Sequence, residues 1–388
     1  MDTPSVRRDI LIDGEPFALV VQTHHDGAVA TTAIHRQDFA RRIGGARFVP
    51  APEGDGTRDG LSEVGHLSSA MTEKCIAALI PADGQKSVVV AEPEVLASED
   101  RRTAILAEHI RAVVSVDAGA IFGPDINVPE EVQNRLAAEP DLLDHVTGLS
   151  ENAGGLSIDH NGYTAEGVVQ GVRTALGDAG LRGASVTIQG FGAVGAHAGR
   201  LLHAAGARIR AVSNALGALI AEDEEGLDAR VLFRSYGESG DGCLLAYSRS
   251  GQGPSRLLAD PDALFEVAAD IFVPAARISV LAMPDELGAI RARENPDAGD
   301  VTDFLARTGV RVVAEGANHP LSDAAERYLE ERGVRVLPDF IVNCGGLIGC
   351  WVEWEARHRA GSAAVDLTTM GDAARARIRA TVTSNVEE

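Results

Sequence analysis

Residues 185–195 read Ser-Val-Thr-Ile-Gln-Gly-Phe-Gly-Ala-Val-Gly. Five residues of strand character run into three glycines, Gly190, Gly192 and Gly195, spaced G-x-G-x-x-G, and a helical stretch follows to about Ala205. A second apolar strand occupies Arg208 to Ser213, so the segment predicts a βαβ crossover, which implies a parallel sheet. Gly190 permits the tight turn, Gly192 lets backbone amides approach an anionic group, and Gly195 lets the helix pack closely on the strand. The helix N-terminus then offers unpaired N–H groups and the positive end of its dipole to a pyrophosphate. The expectation is a dinucleotide site built from Gly190, Phe191, Gly192, Ala193, Val194 and Gly195. An acidic residue at the end of the second strand would normally hold the adenosine ribose. Ser213 and Asn214 stand there instead. Both are neutral, and no Arg or Lys follows closely to attract a 2′-phosphate, so the reading is NAD or NADP with a slight lean to NAD.

Moving outward, the same alternation continues with strands at 271–273, 310–314 and 334–337 and a helix at 322–332, which predicts a doubly wound second half. The stretch YGESGDGCLLAYSRSGQGPSR, residues 236–256, is rich in Gly and Ser and reads as a surface excursion. Toward the N-terminus, GLSENAGGLSIDHNG at 148–162 reads as a link. Before it, short apolar strands alternate with helical patterns, so the first half is an α/β unit as well. The fold class is therefore α/β, with an N-terminal α/β domain over 1–150 that binds substrate and mediates oligomerisation. A Rossmann-type domain is expected over 151–345, and a C-terminal helical segment over 346–388 packs back on the first domain.

Composition excludes several function classes. A formal net charge of −22 opposes binding to nucleic acid and to anionic membrane surfaces. No run approaches the roughly 18 apolar residues needed to span a bilayer, and no secretory signal is legible at the start, so a cytoplasmic location is expected. Cys75, Cys243, Cys344 and Cys350 form no CxxC pair, which predicts neither a disulfide framework nor a metal site.

The basic residues carry the strongest bias. Of 35 Lys and Arg, only Lys74 and Lys86 are lysine, twelve positions apart. Arginine stays protonated, whereas a desolvated lysine can give up its proton, so lysines surviving in an arginine-dominated chain mark places that need that chemistry. Lys86, in PADGQKSVVV, approaches a strand where burial would lower its pKa and suit it to acid–base work. Lys74 lies on the preceding helix in MTEKC, placed to pair with a small anionic group of a substrate.

These segments, taken in order, resemble the Glu/Leu/Phe/Val dehydrogenase family. The resemblance is carried by IGGARFVP from Ile43, MTEKC from Met71, DGQKS around Lys86, GPDINVP from Gly123, TAEGV from Thr164 and IQGFGAVG ending at Gly195. It continues through DIFVPAA from Asp270, EGANHP from Glu315, PDFIVNCGG from Pro338 and the pair Glu353-Trp354. The resemblance implies reversible oxidative deamination of an L-amino acid to a 2-oxo acid and ammonium, with hydride transfer to a nicotinamide, in a homo-oligomer. It further implies that Lys74 binds the substrate α-carboxylate, that Lys86 activates water, and that Thr164, Ala275, Ala276, Asn318 and Asn343 serve the cofactor, beside Ser213 and Asn214.

Three departures shape the substrate reading. Glutamate-type members carry a lysine directly before the Gly-Gly segment, where this chain has Ile43 ahead of Gly44 and Gly45. An unpartnered buried carboxylate costs several kcal/mol, whereas an apolar side chain against Ile43 would gain about 1–3, so an apolar or unusual side chain is favoured over glutamate. Cys350 stands where many glutamate-type members place a serine near the substrate. The family's acidic proton shuttle lies shortly after the Gly-Pro-Asp segment, and ungapped matching puts Val132 there. Glu131 takes the role if the loop differs by one residue, with Glu130 a poorer candidate. Otherwise the chain is a catalytically impaired dinucleotide-binding homologue with a binding or regulatory role, and glutamate dehydrogenase is a further alternative.

Overall fold

The structure, a computed structural model, describes residues 3–51, 60–361 and 364–388. The chain divides into two compact units, one holding residues 1–161 and 347–377 and the other 162–346 and 378–388. Among the described residues no helix is long and apolar enough to cross a membrane.

The first unit is built on six strands, β1 (Ser5–Ile12), β2 (Glu15–His25), β3 (Ala28–Ile34), β4 (Arg42–Pro50), β5 (Asp83–Ala91) and β6 (Ala120–Gly123). They pair in the order β1-β2-β3-β5-β4-β6. Strands β1, β2, β3 and β5 are joined in that order by antiparallel pairings, and β4 runs parallel to both β5 and β6. Inner strand β5 is buried at all nine residues, and its valine run suits a strand covered on both faces. Side chains alternate along a strand. Val88 and Val90 accordingly pack with Val64 of the helix Leu61–Ala77. Val89 and Ala91 join Leu106 and Ile110 of the helix Glu99–Val116. Each of these buried Val, Leu and Ile side chains contributes about 1.5–3 kcal/mol. The same alternation puts Lys86 on the face of the helix Leu61–Ala77, in a strand otherwise devoted to core.

The second unit carries a seven-stranded sheet, parallel over most of its width as the glycine turn led one to expect. Strand β7 (Ser185–Gln189) is followed by β8 (Arg208–Asn214), β9 (Gly217–Ala221), β10 (Ser255–Leu258), β11 (Ile271–Pro274), a minor parallel pair β12 (Leu281–Ala282) and β13 (Gly299–Asp300), β14 (Val312–Ala314) and β15 (Arg335–Leu337). The order is β10-β9-β8-β7-β11-β14-β15, parallel from β8 to β15. Because β7 has β8 on one side and β11 on the other, strand order reverses at β7, and the crevice at its carboxyl end is where doubly wound sheets bind ligands.

Residues 236–256 differ from the sequence expectation. They end the helix Ala229–Ser239, form the helix Cys243–Ser250 and enter β10, which pairs antiparallel with β9. Cys243, Leu244 and Tyr247 are buried, and the Tyr247 hydroxyl accepts the Asp228 N–H at 2.9 Å. Two of the glycines that suggested irregular chain instead bound a helix, Gly242 preceding the second helix and Gly251 in the left-handed region closing it.

Candidate active site

Two clusters meet the sequence expectations, one in each unit. In the first, Lys86 is 8% exposed and its Nζ lies 2.5 Å from Oδ2 of Asp125. Asp125 follows β6 by two residues and is gripped from β4 by Arg47, whose Nε donates to Oδ2 at 2.9 Å and whose Nη2 donates to Oδ1 at 3.3 Å. The Arg47 guanidinium also reaches Glu63 of the helix Leu61–Ala77 at 3.2 Å. The parallel pairing of β4 with β5 and β6 is what gathers these three residues, far apart in sequence, onto one patch.

Burial drives the Lys86 pKa down; Asp125 opposes that, and Arg47 and Lys74 add to the lowering, with a net downward result. Burial lifts the Asp125 carboxyl, but the charges of Lys86 and Arg47 more than offset it and hold the group well below the usual carboxylate range. The pair therefore offers an amine that gives up its proton more readily than an ordinary lysine beside a carboxylate that stays ionised. Lys74 is 9% exposed, on the helix that covers this sheet face. Its charge is felt at Lys86, so the two lysines belong to one electrostatic site.

Gly45 is a spatial requirement of that site, since a Cβ there would come within 3.1 Å of Lys86 Nζ and 2.8 Å of the Pro124 carbonyl oxygen. At Gly44 an added Cβ would fall 1.7 Å from the Gln85 carbonyl oxygen, a demand of strand packing. Ile43 shares its strand face with Gly45 and Arg47 by alternation and is fully buried. Cys350 is buried with its Sγ 3.9 Å from the position a Cβ would take on Gly123 and 3.6 Å from that on Gly148. Burial, with Glu353 and Asp159 adding to it, pushes its thiol well up, so the sulfur is a neutral surface.

Glu131 is exposed on the first turn of the helix Glu130–Ala137, and Val132 points into the apolar core with Leu136 and Val146. The carboxylate against Lys86 is Asp125, two residues beyond Gly123, and not Glu131. Sequence matching carried the acid past the Gly-Pro-Asp segment into a helix whose apolar positions face the core. Glu130, half-buried, has its carboxyl raised by burial, with a hydrogen bond to Ser157 opposing that and the charges of Asp159 and Glu131 adding to it. Sequence reasoning also passed over Arg47, whose only signal was its place in the Gly-Gly segment. Glu353, quoted in the sequence only as half of a matching pair, was given no role there. It is fully buried and accepts N–H groups of Gly148 at 2.9 Å, Leu149 at 3.1 Å and Leu156 at 2.9 Å, tying residues 147–156 to the helix Gly345–Ala360.

In the second unit, Gly190 has φ +87°, and a Cβ there would lie 2.7 Å from the backbone of Ala276. Its N–H and that of Phe191 donate to the Ser213 carbonyl at 2.9 and 2.7 Å, which docks the turn on β8. A Cβ on Gly195 would strike the Gly190 carbonyl at 2.0 Å, whereas Gly192 faces open space. The helix Ala193–Ala204 starts at that space without a side-chain cap. Its first N–H groups are thus available to an anion, and the residues present fit the pyrophosphate of a nicotinamide dinucleotide. Phe191, by contrast, is fully buried against Tyr236 and packs inward.

Ala275 donates its N–H to the Gln189 carbonyl at 2.7 Å, and Gly316 could not carry a Cβ without meeting Ala275 at 3.0 Å and Val194 at 3.3 Å. These contacts draw the turn, Ala275–Ala276 and residues 316–318 together. Asn343 donates to the carbonyl of Ala317 at 3.1 Å and to Oδ1 of Asn318 at 3.3 Å, while its own Oδ1 is buried and accepts no hydrogen bond from the described residues. A buried acceptor in that condition is costly and suits an amide donor from a ligand. Thr164 is the second residue of the helix Tyr163–Leu181 and lies beside Gly345, where an added Cβ would stand 3.2 Å from the Thr164 Cα.

The family model described as glutamate/leucine/phenylalanine/valine dehydrogenase matches residues 154–370. The glutamate dehydrogenase of Aeropyrum pernix is 31% identical over 356 residues, 87% of this chain and 75% of that protein. Glutamate dehydrogenase B of Halobacterium salinarum is 30% identical over 80% of this chain and 66% of its own length. An NADP-specific glutamate dehydrogenase A1 of Halobacterium salinarum is 29% identical over 85% of this chain and 73% of its own length. Among solved structures, the hetero-hexameric glutamate dehydrogenase of Thermus thermophilus in a Leu-bound form superposes with a TM-score of 0.69 at 23% identity. That match covers 98% of this chain and 81% of the other, and supports the fold.

Proposed function

Since the chain belongs to the Glu/Leu/Phe/Val dehydrogenase family and is an NAD(P)-dependent amino-acid dehydrogenase, we propose that it oxidatively deaminates an L-amino acid with an apolar or unusual, non-acidic side chain. The observation that carries this reading is the ion pair of the buried Lys86 with Asp125, on which Lys74 acts electrostatically.

Lys74 holds the α-carboxylate and so fixes the α-carbon, a positioning effect that lowers the entropic part of the barrier. The substrate enters as an ammonium and must lose a proton before the carbon can be oxidised; the ionised Asp125 accepts it. Arg47 keeps Asp125 oriented and prevents its early neutralisation. A nicotinamide bound at the glycine turn would supply the acceptor for the hydride that the α-carbon gives up. Lys86 then takes a proton from water as its oxygen attacks the imino carbon, and returns a proton to the departing amine, a role that its lowered pKa favours. Asp125 replaces Glu131 as the acid in this scheme.

Ile43 supports an apolar side chain, because a distal carboxylate near it would find no partner from that residue. The neutral Cys350 thiol is consistent with the same preference. The second reading is glutamate itself, favoured by the glutamate dehydrogenases among the similar proteins. On the cofactor, neutral Ser213 and Asn214 lean slightly to NAD. A homo-oligomer is part of the same reading. A panel of amino acids assayed with NAD and with NADP at the reduced-nicotinamide absorbance tests it. Turnover of leucine-like substrates with glutamate near background is the expected result, and exclusive turnover of glutamate would replace it with the second reading.

A further inference from the structure

Strand β8 ends beside the glycine turn, where the Ser213 carbonyl takes the N–H groups of Gly190 and Phe191. A dinucleotide fold places a carboxylate at this strand end to accept both adenosine ribose hydroxyls. Asn214 occupies it, a neutral amide with both ends of its side chain already engaged. Its Oδ1 takes the Leu216 N–H at 3.0 Å, and its Nδ2 donates to the carbonyl oxygen of Asp241 at 2.7 Å.

That second bond is informative, because it draws a residue 27 positions away to the end of β8. Asp241 is the middle residue of the short turn Gly240–Gly242. The turn is pinned by Asn214 on one side and followed by the buried Cys243, whose Sγ lies 4.0 Å from the same Asn214 nitrogen. The Asp241 backbone is thereby held while its side chain is exposed, and the carboxylate enters no ion pair among the described residues. Leu216, on the β8–β9 turn at the same strand end, is 65% exposed and offers an apolar face of the kind an adenine ring covers.

We propose that Asp241 supplies in place of β8 the carboxylate that receives the adenosine ribose, and so selects NAD against NADP; this rests on the reading of the glycine turn as a dinucleotide site. A carboxylate bound to two hydroxyls gains charge-assisted hydrogen bonds, whereas a 2′-phosphate brings a second negative charge to the same place. Asn214 is the positioning residue, acting through its bond to the Asp241 carbonyl.

The test is direct binding of NAD and of NADP to the full-length protein by calorimetric titration, with no amino acid present. The parent should bind NAD at least about tenfold more tightly than NADP, the scale of a charged hydrogen bond. Asp241→Asn should lose about tenfold in NAD affinity, leave NADP unchanged or improved, and bring the ratio near one. Asp241→Glu should keep most of the preference, and an unchanged thermal midpoint in each variant shows that the fold is intact. A parent that prefers NAD with an Asp241→Asn variant of the same ratio overturns the assignment of Asp241 alone. A parent that binds NADP as tightly as NAD overturns the cofactor preference and the assignment with it, and a parent binding neither removes the dinucleotide reading itself.

Discussion

The two clusters solve different electrostatic problems by different means. In the first unit, charged side chains from β4, β5 and the loop after β6 are brought into a strand-rich core, where Lys86, Asp125 and Arg47 compensate one another. In the second, the positive potential comes from backbone N–H groups at a helix start, and the side chains required are mostly the absent ones of glycine. Chemistry that moves protons needs titratable groups with displaced pKa values. Holding a phosphate needs only fixed dipoles and room. Changes of charge should therefore be felt as rate in the first unit, and changes of bulk as affinity or stability in the second.

The largest effect expected from that contrast is Lys86→Ala. Turnover of the preferred amino acid should fall by about 10²–10⁴, with dinucleotide affinity held, measured by initial rates beside a binding titration. Comparable loss of both would mean the two regions are not separable in this way. In the second unit, Gly195→Ala and Gly192→Ala should part company. The first places a Cβ 2.0 Å from the Gly190 carbonyl and should cost about 1–3 kcal/mol of stability in denaturant unfolding. The second enters open space, so stability should hold while affinity for the dinucleotide drops about tenfold.

The smallest effect is a titration. Lys74 carries a like charge that lowers the Lys86 pKa, so removing it raises that pKa. In the parent, the pH at which Lys86 is half-labelled by an amine-reactive reagent, read by peptide mass spectrometry, should lie below the ordinary 10.5. In Lys74→Ala, where Lys86 is the sole lysine of the chain, it should move upward toward that value. A downward movement or none would show that the two amines do not share a site.

The same contrast explains what could be read from the sequence. The glycine turn is local: Gly190, Gly192 and Gly195 and their flanking strand and helix lie within some twenty residues, and steric rules connect spacing to shape. Lysine scarcity likewise isolated Lys74 and Lys86, because composition alone made them stand out. Asp125 was present in a quoted segment yet unassigned, since nothing in GPDINVP says that its carboxylate meets Lys86; the parallel pairing of β4 with β5 and β6 decides that. Val132 and Glu131 drew attention through linear counting, and the helix Glu130–Ala137 turns one into core and the other toward solvent. Residues 236–256 misled for a related reason, as glycines that end helices look in sequence like glycines that prevent them.

The identity of the acid partnering Lys86 is the point on which the chemistry turns. It is tested most directly by comparing initial rates of reduced-nicotinamide formation in Asp125→Asn and Glu131→Gln, with the same amino acid and saturating dinucleotide. Asp125→Asn should slow turnover by at least about 10² and Glu131→Gln should match the parent. A Glu131→Gln enzyme that is crippled while Asp125→Asn turns over normally would contradict the pairing of Lys86 with Asp125 as the working acid–base unit.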